Sequence, residues 1–139
     1  RKHYNVYAES MAYGGYSLGG LAAIYSLYFD ETFSTIFSVC GSFWYPGFAD
    51  YVVNNNVKNR NAAVYLLNGE QEGVNHGNLL EQAPVKAHMV HEHLMSVMNA
   101  VSIFDEYGHH ENKSERINRL LSVLTGMEGS YENCGKETK

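Results

Sequence analysis

A chain of 139 residues with 45% hydrophobic side chains has the size and apolar fraction of one globular domain. Its formal charge of −5 excludes the basic footprint expected of a nucleic-acid binder. Its apolar runs are all far shorter than the ~20 residues a membrane-spanning helix needs, which argues against a membrane partner.

Aromatic residues make up 13% of the chain, including 11 Tyr, enough to fill a core and line a cleft. The 2 cysteines cannot form a disulfide framework. Cys40 lies in an apolar run and reads as a small buried hydrophobe; Cys134 lies in a polar tail and reads as a free thiol. This usage fits a reducing, cytoplasmic compartment.

In chain order, residues 1–9 are mixed and fit the end of a helix running into a strand. Met11 to Gly15 is a small, apolar run closed by glycines, which predicts a buried strand ending in a sharp turn. From Leu18 to Tyr28 the pattern becomes helical, with Leu18, Leu21, Ala22, Tyr25 and Tyr28 on one face. Ala23, Ile24 and Leu27 fill much of the remainder, and a helix apolar nearly all round is a buried one. Phe33 to Cys40 is rich in β-branched and aromatic residues and predicts the next strand. Gly41 to Gly47 is a loop carrying the only Trp.

Ala63 to Leu67 predicts a third strand, ended by Asn68-Gly69. Leu79 to Met98 predicts a long helix, Ala100 to Phe104 a fourth strand, and Ile117 to Leu124 an amphipathic terminal helix. Strands alternating with helices imply parallel βαβ units with right-handed crossovers. The fold class is therefore α/β. Residues 1–127 are expected to belong to one domain, and residues 128–139 to form a polar tail.

The most specific signal is Gly15-Tyr16-Ser17-Leu18-Gly19-Gly20, a Gly-x-Ser-x-Gly turn placed between a predicted strand and a buried helix. A nucleophilic serine in such a tight turn projects its hydroxyl above the sheet edge. Gly15 and Gly19 are expected to lack side chains because strand and helix cross there. The backbone N–H of Leu18, at the helix start, is placed to receive an oxyanion. A plain glycine-rich turn with an N-capping serine would use the same residue types without the chemistry.

A triad built on this turn runs Ser, then acid, then His along the chain. Asn68-Gly69-Glu70-Gln71-Glu72 follows the third strand, where the acid should emerge. Glu72, three residues after the glycine, is the first choice and Glu70 its rival. Glu106-Tyr107-Gly108-His109-His110 follows the last strand and offers His109 as the base, with His110 as the alternative. His88, His91 and His93, with His76 upstream, suggest a metal cluster, but on a helix His93 points away from the other two. No Cys or carboxylate completes a zinc set, so neither metal nor cofactor is expected. Asn112-Lys113-Ser114 is a glycosylation sequon in form only.

With these stretches in hand, the chain resembles the α/β-hydrolase esterase family that includes siderophore esterases, feruloyl-type esterases and formylglutathione-hydrolase-like enzymes. The resemblance is carried by Gly14 to Leu21, Val39 to Gly47, Leu67 to Glu72 and Glu106 to His109, in the family's order. It implies an α/β-hydrolase fold, a mostly parallel sheet with flanking helices, with Ser17 as nucleophile and His109 as base. It further implies that the loop from Ser42 to Trp44 walls a substrate pocket, with Tyr16, Trp44 and Tyr45 against a small-molecule ester.

The family has several strands before the nucleophile turn, and this chain has barely a dozen residues there. The expectation is that the N-terminal strands, with the loop that donates the second oxyanion N–H, belong to a longer polypeptide. A second copy would cover the exposed flank, so a homodimer is also expected. The leading function is a serine esterase; the alternatives are acyl transfer to an alcohol and a non-catalytic fragment of the same scaffold.

Overall fold

The computed structural model describes residues 11–73 and 79–124. Four strands alternate with helices: β1 (Ala12–Tyr16), α1 (Leu18–Ser26), β2 (Thr35–Val39), α2 (Phe48–Asn54), β3 (Ala63–Gly69), α3 (Ala83–Val97), β4 (Ala100–Asp105) and α4 (Lys113–Leu124). The strands form one sheet in the order β1-β2-β3-β4. All pairings are parallel, with Tyr13 opposite Ile36, Ile36 opposite Val64 and Val64 opposite Ala100.

Because each crossover moves one strand further in the same direction, right-handed connections must put α1, α2 and α3 on the same face. The packing follows. Ala23 and Ile24 of α1, Leu27 just past its end, Val52 of α2 and Ala87, Val90 and Leu94 of α3 form one core with Ile36, Val64 and Leu66 of the sheet. The intervening strand residues Phe37, Val39, Tyr65, Leu67 and Ile103 point the other way, onto Ile117 and Leu120 of α4. The period-2 alternation of the strands thus feeds two cores, and among the described residues α4 is the helix that covers the second.

The strands match their expected positions to within two residues, but the helices depart more. The helix expected from 18 to 28 ends at Ser26, and its buried face is Gly20, Ala23, Ile24 and Ser26. Leu18 and Tyr25, expected inward, are 58% and 42% exposed. Apolar residues surround this helix, so periodicity cannot choose a face. The choice falls where α1 can approach closely: a Cβ on Gly20 would lie 2.4 Å from Ser38 Oγ.

The helix α2 follows the Trp44 loop and was not expected; its seven residues are too few for a periodic signal. The long helix expected from 79 is split: Leu79–Gln82 is 3-10, and α3 begins at Ala83 with Pro84 in its first turn. Pro is favoured at a helix start because its missing N–H has no intrahelical acceptor there. α4 begins a turn earlier than expected, at Lys113. Residues 1–9, His76, Cys134 and the tail from 128 lie outside the described residues. No described helix is long and apolar enough to cross a membrane.

Candidate active site

The carboxyl ends of all four strands meet at one edge of the sheet. This is the end at which open α/β sheets place their ligands. Ser17 follows β1, Ser42 follows β2, Glu72 follows β3 and His109 follows β4.

Ser17 has φ 62° and ψ −120°, a backbone conformation that non-glycine residues rarely adopt. Such strain costs of order 1–3 kcal/mol and persists only where the surroundings over-determine it. Here two backbone bonds do so: Ser17 N–H donates to Val39 O at 3.0 Å, and Ser42 N–H donates to Ser17 O at 3.1 Å. Gly15 is required beneath the turn, since a Cβ there would lie 2.6 Å from the carbonyl carbon of Gly19. The expectation for Gly19 itself is corrected: a Cβ on it would meet nothing within 4 Å. Its contribution is the bare backbone that Gly15 approaches. Leu18 is the first residue of α1, so its N–H has no acceptor within the helix and is available above the turn.

Ser17 Oγ lies 3.1 Å from His109 Nε2, and His109 Nδ1 lies 2.8 Å from Glu72 Oε1. The structure therefore brings Ser17, His109 and Glu72 into one hydrogen-bonded chain. The rival acid Glu70 points elsewhere and pairs with His88 Nε2 at 3.0 Å on the exposed surface. His110 is exposed and stacks edge-on against His109.

Glu72 is 3% exposed, and a buried carboxylate must be richly partnered. Its Oε2 accepts from Gly69 N–H at 2.6 Å and Asn68 Nδ2 at 3.3 Å, leaving Oε1 to His109. Cys40, fully buried and with φ 52°, brings its thiol close to the Glu72 carboxylate. Burial first, and the nearby Glu72 charge second, push the Cys40 thiol up to about 12, so it stays a neutral S–H donor. The expectation of a small buried group holds, yet the thiol also faces the carboxylate.

The histidine loop is fixed from below. Arg116, 3% exposed, grips Asp105 through Nε at 2.7 Å and Nη2 at 3.0 Å. Its Nη1 donates to Gly108 O at 2.5 Å and Glu111 O at 3.1 Å. One guanidinium thus ties the end of β4 to both sides of His109, a task suited to its rigid fork of donors. Tyr16, expected at the substrate, donates its hydroxyl to the His109 carbonyl and lies against the imidazole at 5.4 Å. Burial raises its pKa, and Lys113 Nζ sits 4.3 Å over its ring.

Trp44 and Tyr45 line a cleft of about 260 Å³ with Pro46, Asp50, Gln82 and Lys86, and neither Ser17 nor His109 is among its lining residues. Ser42 was named only as part of a loop wall. Its hydroxyl is 3.3 Å from Ser17 Oγ, and Ser42 is 3% exposed. The helical histidines are engaged individually. His88 is on Glu70, while His91 bonds Ser102 and Asn68. Among the described residues, the one group of candidate metal ligands brought together is Cys40, Glu72 and His109. Glu72 and His109 there already bond each other.

No family model matches this chain. It is similar to an uncharacterized protein, YbbA, of Bacillus subtilis (strain 168), at 30% identity over 96 residues, 67% of this chain and 38% of YbbA. It is also similar to the crystal structure of the enterobactin esterase FES from Shigella flexneri, solved in the presence of 2,3-dihydroxy-N-benzoyl-glycine. That likeness has a TM-score of 0.62 at 19% identity, over 89% of this chain and 33% of the esterase. The chain thus spans between 33% and 38% of the length of these two proteins. Together with the parallel sheet and its flanking helices, the structural likeness makes this an α/β-hydrolase fold.

Proposed function

We propose that this chain carries the catalytic centre of a serine esterase acting on small carboxylic esters. The observation that carries the reading is the unbroken path from Ser17 Oγ through His109 to the buried Glu72, at 3.1 Å and 2.8 Å. Around that path each group has a task. Ser17 Oγ attacks the ester carbonyl and its proton passes to His109 Nε2. Glu72 holds the Nδ1–H tautomer and stabilises the imidazolium that forms. The Leu18 N–H receives the oxyanion of the tetrahedral adduct, and one such donor is typically worth ~3 kcal/mol. Collapse expels the alcohol, which takes the proton back from His109 and leaves an acyl group on Ser17. Water, deprotonated by His109, then attacks the acyl carbonyl; collapse frees the acid and expels Ser17 Oγ, which takes that proton back from His109.

The strain at Ser17 supports this reading over a plain capping turn. A capping serine would bond the helix N-terminus, whereas Ser17 makes no side-chain cap and turns its hydroxyl to His109. The reading is tested by burst-phase release of p-nitrophenol from p-nitrophenyl acetate or butyrate by the whole polypeptide that carries this chain. A burst that disappears in Ser17→Ala is expected. The same burst surviving in that variant, or no burst in either, counts against it.

A further inference from the structure

Asn68 and His91 are 2% and 1% exposed, on the sheet face otherwise packed by Ile36, Val64, Leu66 and Phe43. Buried polar groups in such a place must be matched donor to acceptor, and here only one assignment matches them all. Two oxygen acceptors, Gly41 O at 3.2 Å and Glu72 Oε2 at 3.3 Å, face one end of the Asn68 amide. That end is therefore the NH2. The other end is Oδ1, an acceptor, so His91 Nε2 at 2.8 Å must carry its proton. His91 Nδ1 is then the lone-pair nitrogen, and it accepts the Ser102 hydroxyl at 2.7 Å. Burial favours this neutral ring and pushes its pKa down to about 3. Phe104, at 4.3 Å between centroids, and Phe43, edge-on at 6.2 Å, hold its plane.

We infer that Asn68, oriented by His91 and Ser102, is a positioning residue that aims the Glu72 carboxylate at His109. With Gly69 N–H and the Asn68 amide both on Oε2, the carboxylate has a defined plane, and Oε1 is left to the imidazole. With Gly69 alone on Oε2, one restraint on the carboxylate plane is lost, and the terminal torsion of Glu72 is intrinsically broad. The active-site geometry would then depend on a histidine in the middle of α3 that touches neither substrate nor nucleophile. This deepens the esterase reading and rests on it for the kinetic arm of its test.

The test compares Asn68→Leu, His91→Phe and His91→Gln. Phe keeps the ring and loses the donor, while Gln keeps an amide N–H near the Nε2 position. The first readout needs no substrate: the far-downfield proton of the His109 Nδ1–Glu72 hydrogen bond, assigned by its loss in His109→Gln. Wild type and His91→Gln are expected to share one sharp resonance, which shifts or broadens in Asn68→Leu and His91→Phe. The second readout is turnover of p-nitrophenyl butyrate per titrated active site. kcat is expected to fall roughly 10- to 100-fold in Asn68→Leu and His91→Phe with KM unchanged, and to be largely restored in His91→Gln.

An unmoved resonance and unchanged kcat in both disruptive variants would overturn the inference and leave Asn68 and His91 as core packing. So would a His91→Gln variant as impaired as His91→Phe, or a wild type with no such resonance. If Asn68→Leu does not fold, the His91 pair decides alone. A variant-sensitive resonance without a Ser17-dependent burst would support the positioning role and sink the esterase reading. A burst with an indifferent resonance would do the reverse.

Discussion

Arg116 and Asp105 form a two-pronged ion pair at 2.7 Å and 3.0 Å, with side chains only 3% and 7% exposed. Removing one partner of such a pair leaves an uncompensated buried charge, typically at a cost of about 3–5 kcal/mol. Arg116→Met should lower unfolding stability by that order in a urea titration and loosen the loop that carries His109. Arg116→Lys should recover only part of the loss, because an ammonium cannot reach Asp105, Gly108 and Glu111 together. An Arg116→Met variant of wild-type stability would show that the clamp is dispensable.

Gly15 and Gly19, on either side of Ser17, have opposite tolerances. Gly15→Ala drives a Cβ to 2.6 Å from the Gly19 backbone, whereas at Gly19 the same Cβ meets open space. Overpacking of this kind typically costs 1–3 kcal/mol, so Gly15→Ala should be destabilising by about that amount. Gly19→Ala should be neutral or stabilise by up to about 1 kcal/mol, since Ala is the better helix former. Denaturant midpoints of the two variants check the contrast, and equal losses would contradict it.

The two candidate acids separate cleanly. Glu72→Gln can keep its oxygen on Gly69 N–H and Asn68 Nδ2 only by turning its NH2 to His109 Nδ1, favouring the wrong imidazole tautomer; for the equivalent change in a serine protease the handicap is of order 10⁴ in kcat. A loss of about 10³-fold or more is expected here. Glu70→Gln should leave kcat unchanged, because among the described residues the Glu70 carboxylate pairs with the surface His88 and not with His109. Equal effects from both variants would remove Glu72 from its assigned place.

The sheet was legible in the sequence because its signals are local. Ala63 to Leu67 and Ala100 to Phe104 are short apolar runs bounded by polar and turn residues, which read as strands, and the glycines around Ser17 mark the turn. The Glu72 spacing and the place of His109 were legible because each follows a strand end. What was hidden depends on tertiary approach. Nothing in the α1 sequence distinguishes Leu18, exposed, from Ile24, buried, until Gly20 meets Ser38. Asn68 and His91, 23 residues apart, read as a turn residue and a stray helical histidine. The signal that could have found them is a polar residue in the last inward position of β3 paired with a histidine among the apolar positions of α3. Ser42 and Cys40 reach the site only because β2 lies between β1 and β3.

His91 should also shape the acid limb of stability. Its folded pKa is depressed to about 3 from 6.5, so the unfolded chain binds a proton that the native state refuses as pH falls. The sign is therefore destabilising toward acid: native stability is lost from about pH 6.5 down to about pH 3, at up to ~1.4 kcal/mol per pH unit for one proton. His91→Gln should make that limb shallower by about one proton. An unchanged slope, from urea titrations at several pH values, would show that His91 titrates normally.

The central claim, a Ser17 nucleophile driven by His109 and Glu72, is tested most directly by intact-mass and peptide-mapping analysis after brief acid quenching of a p-nitrophenyl butyrate reaction. One butyryl adduct per molecule is expected, located on Ser17 and absent from Ser17→Ala and His109→Gln. An adduct mapped to another residue, or no adduct on a protein that still releases p-nitrophenol, would contradict it.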